Sequence, residues 1–542
     1  AAGLYLAALL LPSAWVASSA SAGVAVQVDW SDVRGTVEPD FFGLNVWNGT
    51  NPNVSSQADY QANLARLSPG VTRVHAAEML QPGSSKAWVN LFGVWQTDTI
   101  DQVLSALGPN TNEVMLNVPT WFGVWNGPGG TLADDRIDDY AAFVADLVDI
   151  ANNQLGHDVA WVEPFNERDT RYAGNATELA AVHNAVVAAV RAVDPDIRVS
   201  AGGWTQPFDD ANIRAFIAAV GPENMDAFSY HHYATSGTNA DPQFLYDRSY
   251  GIGERGDTLR GWLDELPGGE QVELWLGETN LYSSFSNDTQ GLMRSEVGAV
   301  ASALMHQRAI ERGSVDVVQP WNDSDNTYGM ISPDGSTLRP AGHVRAEMVE
   351  HFIGDWVFST SDSPNDIEVF AAITDDAHTV MLVNRSGHAQ TVDLSFLDTT
   401  AFSDAYTFTV IDSLGQTTIA ASRSFDGTQG FTLAQDTVAF LTLTAIPRIL
   451  PGDYNGSGSV EQGDLDLVLG GWGSARTGFL NDMVFTTPAI DQEELDAVLA
   501  NWGVSAIPAS SPQRIPEPAT GLAFLALAAC PSFRRLIVRH NP

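Results

Sequence analysis

From about residue 42 to 350, short apolar runs alternate with longer amphipathic ones, and this exchange of two periodicities restricts the fold more than any single motif. The short runs are "FGLNVW" (42–47), "VTRVHA" (71–76), "EVMLNVP" (113–119), "VAWVEPFN" (159–166), "IRVSAGG" (197–203), "MDAFSYHHY" (225–233), "VELWLGE" (272–278) and "VDVVQPWN" (315–322). Helix-like stretches such as "RIDDYAAFVADLVDIANNQ" and "ATELAAVHNAVVAAVRAV" separate them. Eight strands, each followed by a helix, predict an α/β fold with a (β/α)8 TIM barrel over residues 33–350. An open doubly wound sheet is the rival. No glycine-rich phosphate loop follows the first strand, which counts against its nucleotide-binding forms.

After residue 350 the period becomes two. Runs such as "DIEVFAAITD", "HTVMLVNRS" and "GFTLAQDTVAFLTLTA", separated by turn residues, predict an antiparallel β-sandwich over 351–447. The early run "VAVQVDW", within residues 23–32, is expected to supply one of its strands. Residues 451–505 are a third unit. "DYNGSGSVEQGD" places Asp453, Asn455, Ser457 and Asp464 at positions 1, 3, 5 and 12 of a calcium loop, with Gly458 at 6 and Ser459 at 7 completing the candidate ligand set. "GDLDLVLGGWG" is echoed by "EELDAVLANWG", an internal duplication. The second loop departs from the pattern, with Met483 at its first position. The unit resembles a dockerin-type module, which implies one structural calcium and a cohesin-like or cell-surface receptor. A small helix pair without an ion is the alternative.

Charge narrows the partners. Acidic side chains outnumber basic ones by 66 to 26, a formal net charge of −40. Such a chain repels nucleic acid and anionic membranes but not a neutral sugar polymer. Residues 1–22, with "LYLAALLLPSAWVA" and a terminal "ASA", read as a signal-peptide remnant. Residues 506–542 read as a linker and a tail, "IPEPATGLAFLALAACPSFRRLIVRH", that resembles the bacterial Pro-Glu-Pro sorting signal. The protein is therefore expected to be bacterial and secreted or cell-surface, with membrane contact only through that tail before processing. Cys530, the sole cysteine, lies in the tail, so no disulfide is expected in the mature chain.

In such a barrel, chemistry sits where strands end and loops begin. Glu167 closes the fourth strand and Glu278 the seventh, on opposite sides of the ring. Two carboxyl groups facing one sugar are what glycoside hydrolysis needs, with no cofactor for catalysis. Glu163 shares a strand face with Glu167 and is its internal rival, unless it belongs to a buried salt bridge. Alternation does not explain how Asn166, beside Glu167, would reach a ligand.

Asn166-Glu167 and Glu278 resemble the signature of clan A of the glycoside hydrolases, which are retaining barrels. The resemblance implies Glu167 as acid/base, Glu278 as nucleophile and Asn166 as a contact to the substrate 2-hydroxyl. "TRVHAAE" resembles the clan's second-strand segment and points to Arg73, which would orient the nucleophile, and His75. "DAFSYHHY" resembles the sixth-strand pattern of family 39 and its relatives, giving His231 and Tyr233. Trp321 stands where the clan often has an aromatic floor. A barrel followed by a sandwich that borrows an N-terminal strand is similarly like family 39, family 30 and some agarases. Arg168 stands where the clan usually has proline after Asn-Glu.

For several of these positions both readings stay open. Arg73 is either an orienting group or a barrel salt bridge, and His75 either a ligand contact or packing. Asn45 and Trp47 after the first strand, Trp121 after the third and Trp204 after the fifth are either sugar contacts or loop packing. The implied activity is a retaining glycoside hydrolase on a β-linked plant or algal polysaccharide or its oligosaccharides. An exo-acting β-glycosidase, a transglycosylase and a non-catalytic carbohydrate-binding scaffold are the alternatives.

Overall fold

The computed structural model describes residues 23–205, 207–397, 402–412, 415–421, 428–445, 460, 462–471 and 492–500. They divide into two compact units, one ending at Thr444 and one beginning at Ala445.

The first unit opens with β1 (Val24–Val37), followed by the eight strands of a parallel barrel sheet. These are β2 (Leu44–Val46), β3 (Val71–Val74), β4 (Glu113–Asn117), β5 (Trp161–Glu163), β6 (Arg198–Trp204), β7 (Ala227–His231), β8 (Glu273–Thr279) and β9 (Val317–Pro320). They pair in chain order. A parallel bridge between Phe42 and Val318 joins the first strand to the last. Helices fill the connections, and their ends follow from local chemistry. Glu296–Arg312 starts at Ser295, whose side chain accepts from the Val297 amide, and stops at Gly313 in the left-handed region.

Inside the barrel the side chains form two unlike layers. At the N-terminal end Val71, Met115, Trp161, Ala227, Trp275 and Val317 make a dry apolar floor. The rings of Trp161 and Trp275 lie 4.5 Å apart. Two residues further along β3, β4, β5, β7 and β9, alternation brings Arg73, Asn117, Glu163, Ser229 and Gln319 inward, all buried. The charged layer therefore sits directly on the apolar one.

The remaining strands are β10 (Gly354–Ser361), β11 (Ile367–Ile373), β12 (Ala377–Asn384), β13 (Gln390–Phe396), β14 (Phe402–Asp412), β15 (Gly415–Ala421), β16 (Thr428–Leu433) and β17 (Thr437–Ala445). Their order is β15-β14-β17-β12-β11-β10-β1-β13-β16. The sheet curls so that β13 and β16 share a core with β11, β12 and β17, including Val369, Leu382, Val392, Leu394 and Leu441. The expectation of a purely antiparallel sandwich is corrected here. β1 is antiparallel to β10 but parallel to β13, so the sheet is mixed. Strand alternation is the same in either direction, and no hairpin fixes the sense of β1. β1 also continues five residues past its expected end, through register shifts at Asp29/Val33 and Val33/Gly35. The other face of the sheet packs on the barrel, where Phe352 stacks on Phe370 at 5.3 Å.

In the second unit the helices Gln462–Gly471 and Gln492–Ala500 carry the duplicated sequence. Val468 and Val498, at equivalent positions, are buried. Asp464 is buried near the start of the first helix, while Asp453, Asn455, Ser457 and Ser459 lie outside the described residues.

Candidate active site

β5 ends at Glu163, because Pro164 has no amide hydrogen to continue the ladder. The chain then turns through Phe165 and Asn166 to Glu167, whose φ of 53° lies in the left-handed region. That conformation costs about 1 kcal/mol for a residue with a Cβ. It is held by the Glu167 amide donating to the Gly203 carbonyl at 2.9 Å and by Arg168 Nε donating to the Asn166 carbonyl at 2.9 Å. The left-handed turn answers the alternation problem: it lets neighbouring Asn166 and Glu167 both face the barrel mouth.

Arg73 organises the buried side of the site and has no exposed surface. Its Nε donates to Glu163 Oε2 at 2.7 Å, and one Nη1 hydrogen bond reaches Glu278 Oε1 at 3.0 Å. It also donates to Asn45 Oδ1 at 2.7 Å and to Asn166 Oδ1 at 2.6 Å. Arg73 is thus both a barrel salt bridge and the group that aims Glu278. Glu163 takes further hydrogen bonds from Asn117 Nδ2 at 2.7 Å and Ser200 Oγ at 3.3 Å. Glu163 is therefore a buried brace, and Glu167 is the carboxylate that faces outward, with a side chain 36% exposed.

Glu278 is 5% exposed, and Tyr233 Oη donates to its Oε2 at 2.9 Å. His231 stands between the two outer glutamates. Its Nδ1 is 2.9 Å from Glu167 Oε1 and 3.4 Å from Glu278 Oε2. One ligand atom from each of Glu167, His231 and Glu278 lies within 4.8 Å of the others. These three groups could hold a divalent cation or share a proton.

The three groups shift one another's proton affinity. Burial opposes charge on His231, but Glu278 and Glu167 outweigh it and hold its pKa above the ordinary value. Burial would raise Glu167, yet the hydrogen bond and charge of His231, with Arg73 and Arg168, bring its pKa below the usual range. Burial raises Glu278, and the neighbouring charge of Glu167 adds to the rise. A proton donor in the fourth-strand position is expected to have the higher carboxyl pKa, and here the order is reversed. The physical reason is His231, whose hydrogen bond and charge favour the ionised form of Glu167.

The other residues singled out in the sequence divide clearly. His75 is buried beside Trp321, with ring centroids 5.4 Å apart, and bonds through Nδ1 to Asn117 Oδ1. Burial, then Arg73, pushes its pKa well below the ordinary value, so the ring is neutral. Trp321 and Trp47 are half-buried and offer part of a ring face. Lys86 Nζ lies 3.2 Å from the centroid of the Trp47 ring.

Three positions left open between sugar contact and packing are packed in the structure. Asn45 is fully buried, and its Nδ2 donates to the carbonyls of Gly277 at 2.8 Å and Gln319 at 3.0 Å, closing the barrel seam. Trp121 is buried edge-on against Tyr140 and Tyr172. Trp204 is buried among Phe216 and Phe228. The cause for Trp204 is a register shift after Ala201, where Gly202 (φ 114°) and Gly203 (φ 56°) use conformations that favour glycine and turn the ring outward.

Sequence reasoning missed Asn117, Lys86, Arg168 as a site-lining group, and Tyr328. Asn117 was legible, since it stands two residues after inward-facing Met115. Tyr328 lies on the loop after β9, close enough for Glu278 to raise its pKa, and no periodicity marks it.

No protein-family model matches the chain, and no relative is found among curated proteins. Solved structures do match its fold. An α-L-arabinofuranosidase from Thermotoga maritima shares 13% identity at a TM-score of 0.59, covering 78% of this chain and 100% of its own. A GH51 arabinofuranosidase from Xanthomonas axonopodis pv. citri shares 17% at 0.58, covering 78% and 99%. A GH30 endoxylanase from Clostridium papyrosolvens C71 shares 15% at 0.52, covering 78% and 100%. At these identities the likeness concerns the barrel-plus-sheet fold.

Proposed function

We propose that this chain is a retaining glycoside hydrolase acting on a β-linked plant or algal polysaccharide, or on oligosaccharides released from one. The observation that carries the reading is the convergence of Glu167 and Glu278, with carboxylate oxygens within 4.8 Å and His231 between them. Retaining enzymes hold their carboxyl pair about 5–5.5 Å apart, and inverting ones roughly 6.5–9.5 Å apart to admit a water. Fold neighbours named as arabinofuranosidases, an endoxylanase and a β-xylosidase support a plant-type polysaccharide.

In this reading Glu278 is the nucleophile. Arg73 on one oxygen and Tyr233 on the other fix its orientation and favour its ionised form. Substrate entry removes water from Glu167, which favours its neutral carboxyl, and the proton passes from His231 Nδ1 across the existing hydrogen bond. Glu167 then protonates the departing glycosidic oxygen as Glu278 attacks the anomeric carbon, and an ester to Glu278 replaces the glycosidic bond. Glu167, now anionic, takes a proton from water, whose oxygen displaces Glu278 and restores the original anomeric configuration. Trp321 and neutral His75 supply the floor beneath the sugar.

The test is the anomer first released from defined β-linked oligosaccharides, read by NMR, together with azide rescue of two variants. Glu278→Ala with azide is expected to give the inverted glycosyl azide, and Glu167→Ala the retained one. Release of the inverted sugar by the wild type would overturn the reading. We also propose that the second unit binds one structural calcium through Asp453, Asn455, Ser457, Ser459 and Asp464 and attaches a secreted enzyme to a cohesin-like or cell-surface receptor. A calcium titration of the full chain that shifts no melting transition would exclude the ion.

A further inference from the structure

Arg168 and Arg171 are two cations on the short segment that follows Glu167. Several arginines of this chain are matched to carboxylates, as in Arg191–Asp226, Arg198–Glu113, Arg214–Glu265 and Arg312–Asp257, while others, such as Arg345 on the carbonyls of Leu67, Gly43 and Phe42, are held by neutral acceptors. Neither Arg168 nor Arg171 forms an ion pair within 4.0 Å among the described residues, although the chain holds 66 acidic groups for 26 basic ones. Arg168 feels the charges of Glu167 and Asp169 as well as that of Arg171, but its guanidinium is not in direct contact with either carboxylate.

Their placement points to a ligand. Arg168 directly follows Glu167, is half-buried, and is braced by Nε on the Asn166 carbonyl and by Nη1 on Thr120 Oγ1 at 3.2 Å. Its Nη2 meets no protein acceptor among the described residues. The face of its guanidinium lies 5.7 Å from the buried Trp121 ring, which holds the plane in place. Arg171, exposed, follows at the end of the turn Asp169–Arg171. Its side chain lies along the loop after β4, where a Cβ on Gly130 would come within 3.7 Å of Arg171 Cδ. Both cations thus line one wall, between the loops after β4 and β5, next to Glu167. Guanidinium groups fixed at a site edge suit planar or tetrahedral oxyanions.

We propose that Arg168 and Arg171 form a leaving-side subsite for an anionic substituent, the carboxylate of a uronic acid or a sulfate ester, on the sugar beyond the cleaved bond. This rests on the assignment of Glu167 as acid/base, which places the wall beside the departing group. The subsite takes one anionic group rather than a uniformly charged polymer, because the rest of the chain repels anions. It makes the enzyme selective for the position of an acidic sugar along its substrate.

The experiment uses three matched β-linked oligosaccharides whose leaving-side sugar is a uronic acid, its carboxyl-reduced counterpart, or a sulfate ester. Binding to full-length Glu278→Gln is measured by calorimetry, and turnover with the wild type. A charged ligand is expected to bind at least tenfold tighter than the reduced one, and the order of uronate and sulfate identifies the natural group. Arg168→Gln and Arg171→Gln, each in the Glu278→Gln background, are expected to cut that preference below threefold, and added salt to narrow it. Equal binding of charged and reduced ligands would overturn the proposal. So would an Arg168→Gln loss that is the same for both, since that is the signature of a loop brace. Charge-selective binding without turnover would sink the hydrolase reading and leave the subsite standing, whereas turnover with no charge preference would do the reverse.

Discussion

The two ends of the barrel interior are built from the same strands and obey opposite rules. On β5, Trp161 belongs to the apolar floor while Glu163, two residues on, is locked to Arg73. On β8, Trp275 faces the floor and Glu278 the opening. The floor is held by area and shape, with charged groups only at its outer edge, where Glu113 and Glu273 accept from the Trp161 and Trp275 indoles. The upper layer is held by hydrogen bonds whose loss leaves a buried charge exposed to nothing. A barrel can segregate stability from chemistry along its axis in this way, with about 7 Å of strand between the two.

The largest expected effect isolates the chemical end. Glu278→Gln should lower kcat on the order of 10^4-fold or more while the melting temperature changes little, because burial already disfavours the Glu278 charge and its removal offsets the lost contact to Arg73. Steady-state kinetics and calorimetric melting on one preparation measure both. The counterpart is Trp161→Ala, expected to cost about 3–5 kcal/mol of stability through the cavity it opens, with kcat of the folded fraction little changed. If Trp161→Ala lowered kcat as much as Glu278→Gln does, the segregation would be wrong.

Glu163→Gln sharpens the boundary between the layers. It leaves Arg73 half-paired in a buried setting, so a loss of about 3 kcal/mol in stability is expected together with a fall in kcat, because Arg73 also aims Glu278. Denaturant titration beside kinetics separates the two.

The pH profile tests the shared proton. Glu278 must be ionised to attack, and its pKa is raised, so activity should fall on the acid side through a value above the ordinary carboxyl 4.5. In the proposed mechanism His231 supplies the proton that Glu167 uses, and its pKa is raised, so the alkaline fall should lie above the ordinary 6.5. In His231→Asn a carboxyl alone must hold that proton, and the alkaline limb of kcat/KM should move to lower pH. An unmoved limb would place the proton elsewhere.

The smallest effect concerns the contact between barrel and sheet. Burial, with Glu350 nearby, pushes the Glu347 carboxyl up to about 7. A raised carboxyl pKa means that the folded state prefers the proton, so the contribution is complete below the ordinary 4.5 and is lost as pH rises through about 7. Glu347→Gln should therefore raise the melting temperature at pH 8 by a few degrees at most, and hardly at all at pH 5.

Much of this was legible in the sequence for a physical reason. Strand alternation and helix periodicity are local properties, so the eight barrel strands and the inward side of Arg73 could be read directly, whereas Glu278 shares the interior with Trp275 only through a register shift after Leu276. Glu167 was legible only as a dipeptide at a strand end, because the left-handed turn that presents it is fixed by Gly203 on a neighbouring strand. The direction of Trp204 stayed open for the same kind of reason, since two glycines before it break the alternation. The parallel pairing of β1 with β13 leaves no local trace at all.

That pairing has a consequence for how the molecule comes into being. β1 is the earliest described strand, yet its partner groups stand as far as 369 residues downstream, where Ser395 Oγ donates to the Val26 carbonyl. At about 5–20 residues per second, translation would leave this ribbon unpartnered for roughly 20 to 70 s while the whole ring forms behind it. An apolar strand kept waiting that long is a natural client for a chaperone, and a place where newborn chains can pair with one another instead of with themselves.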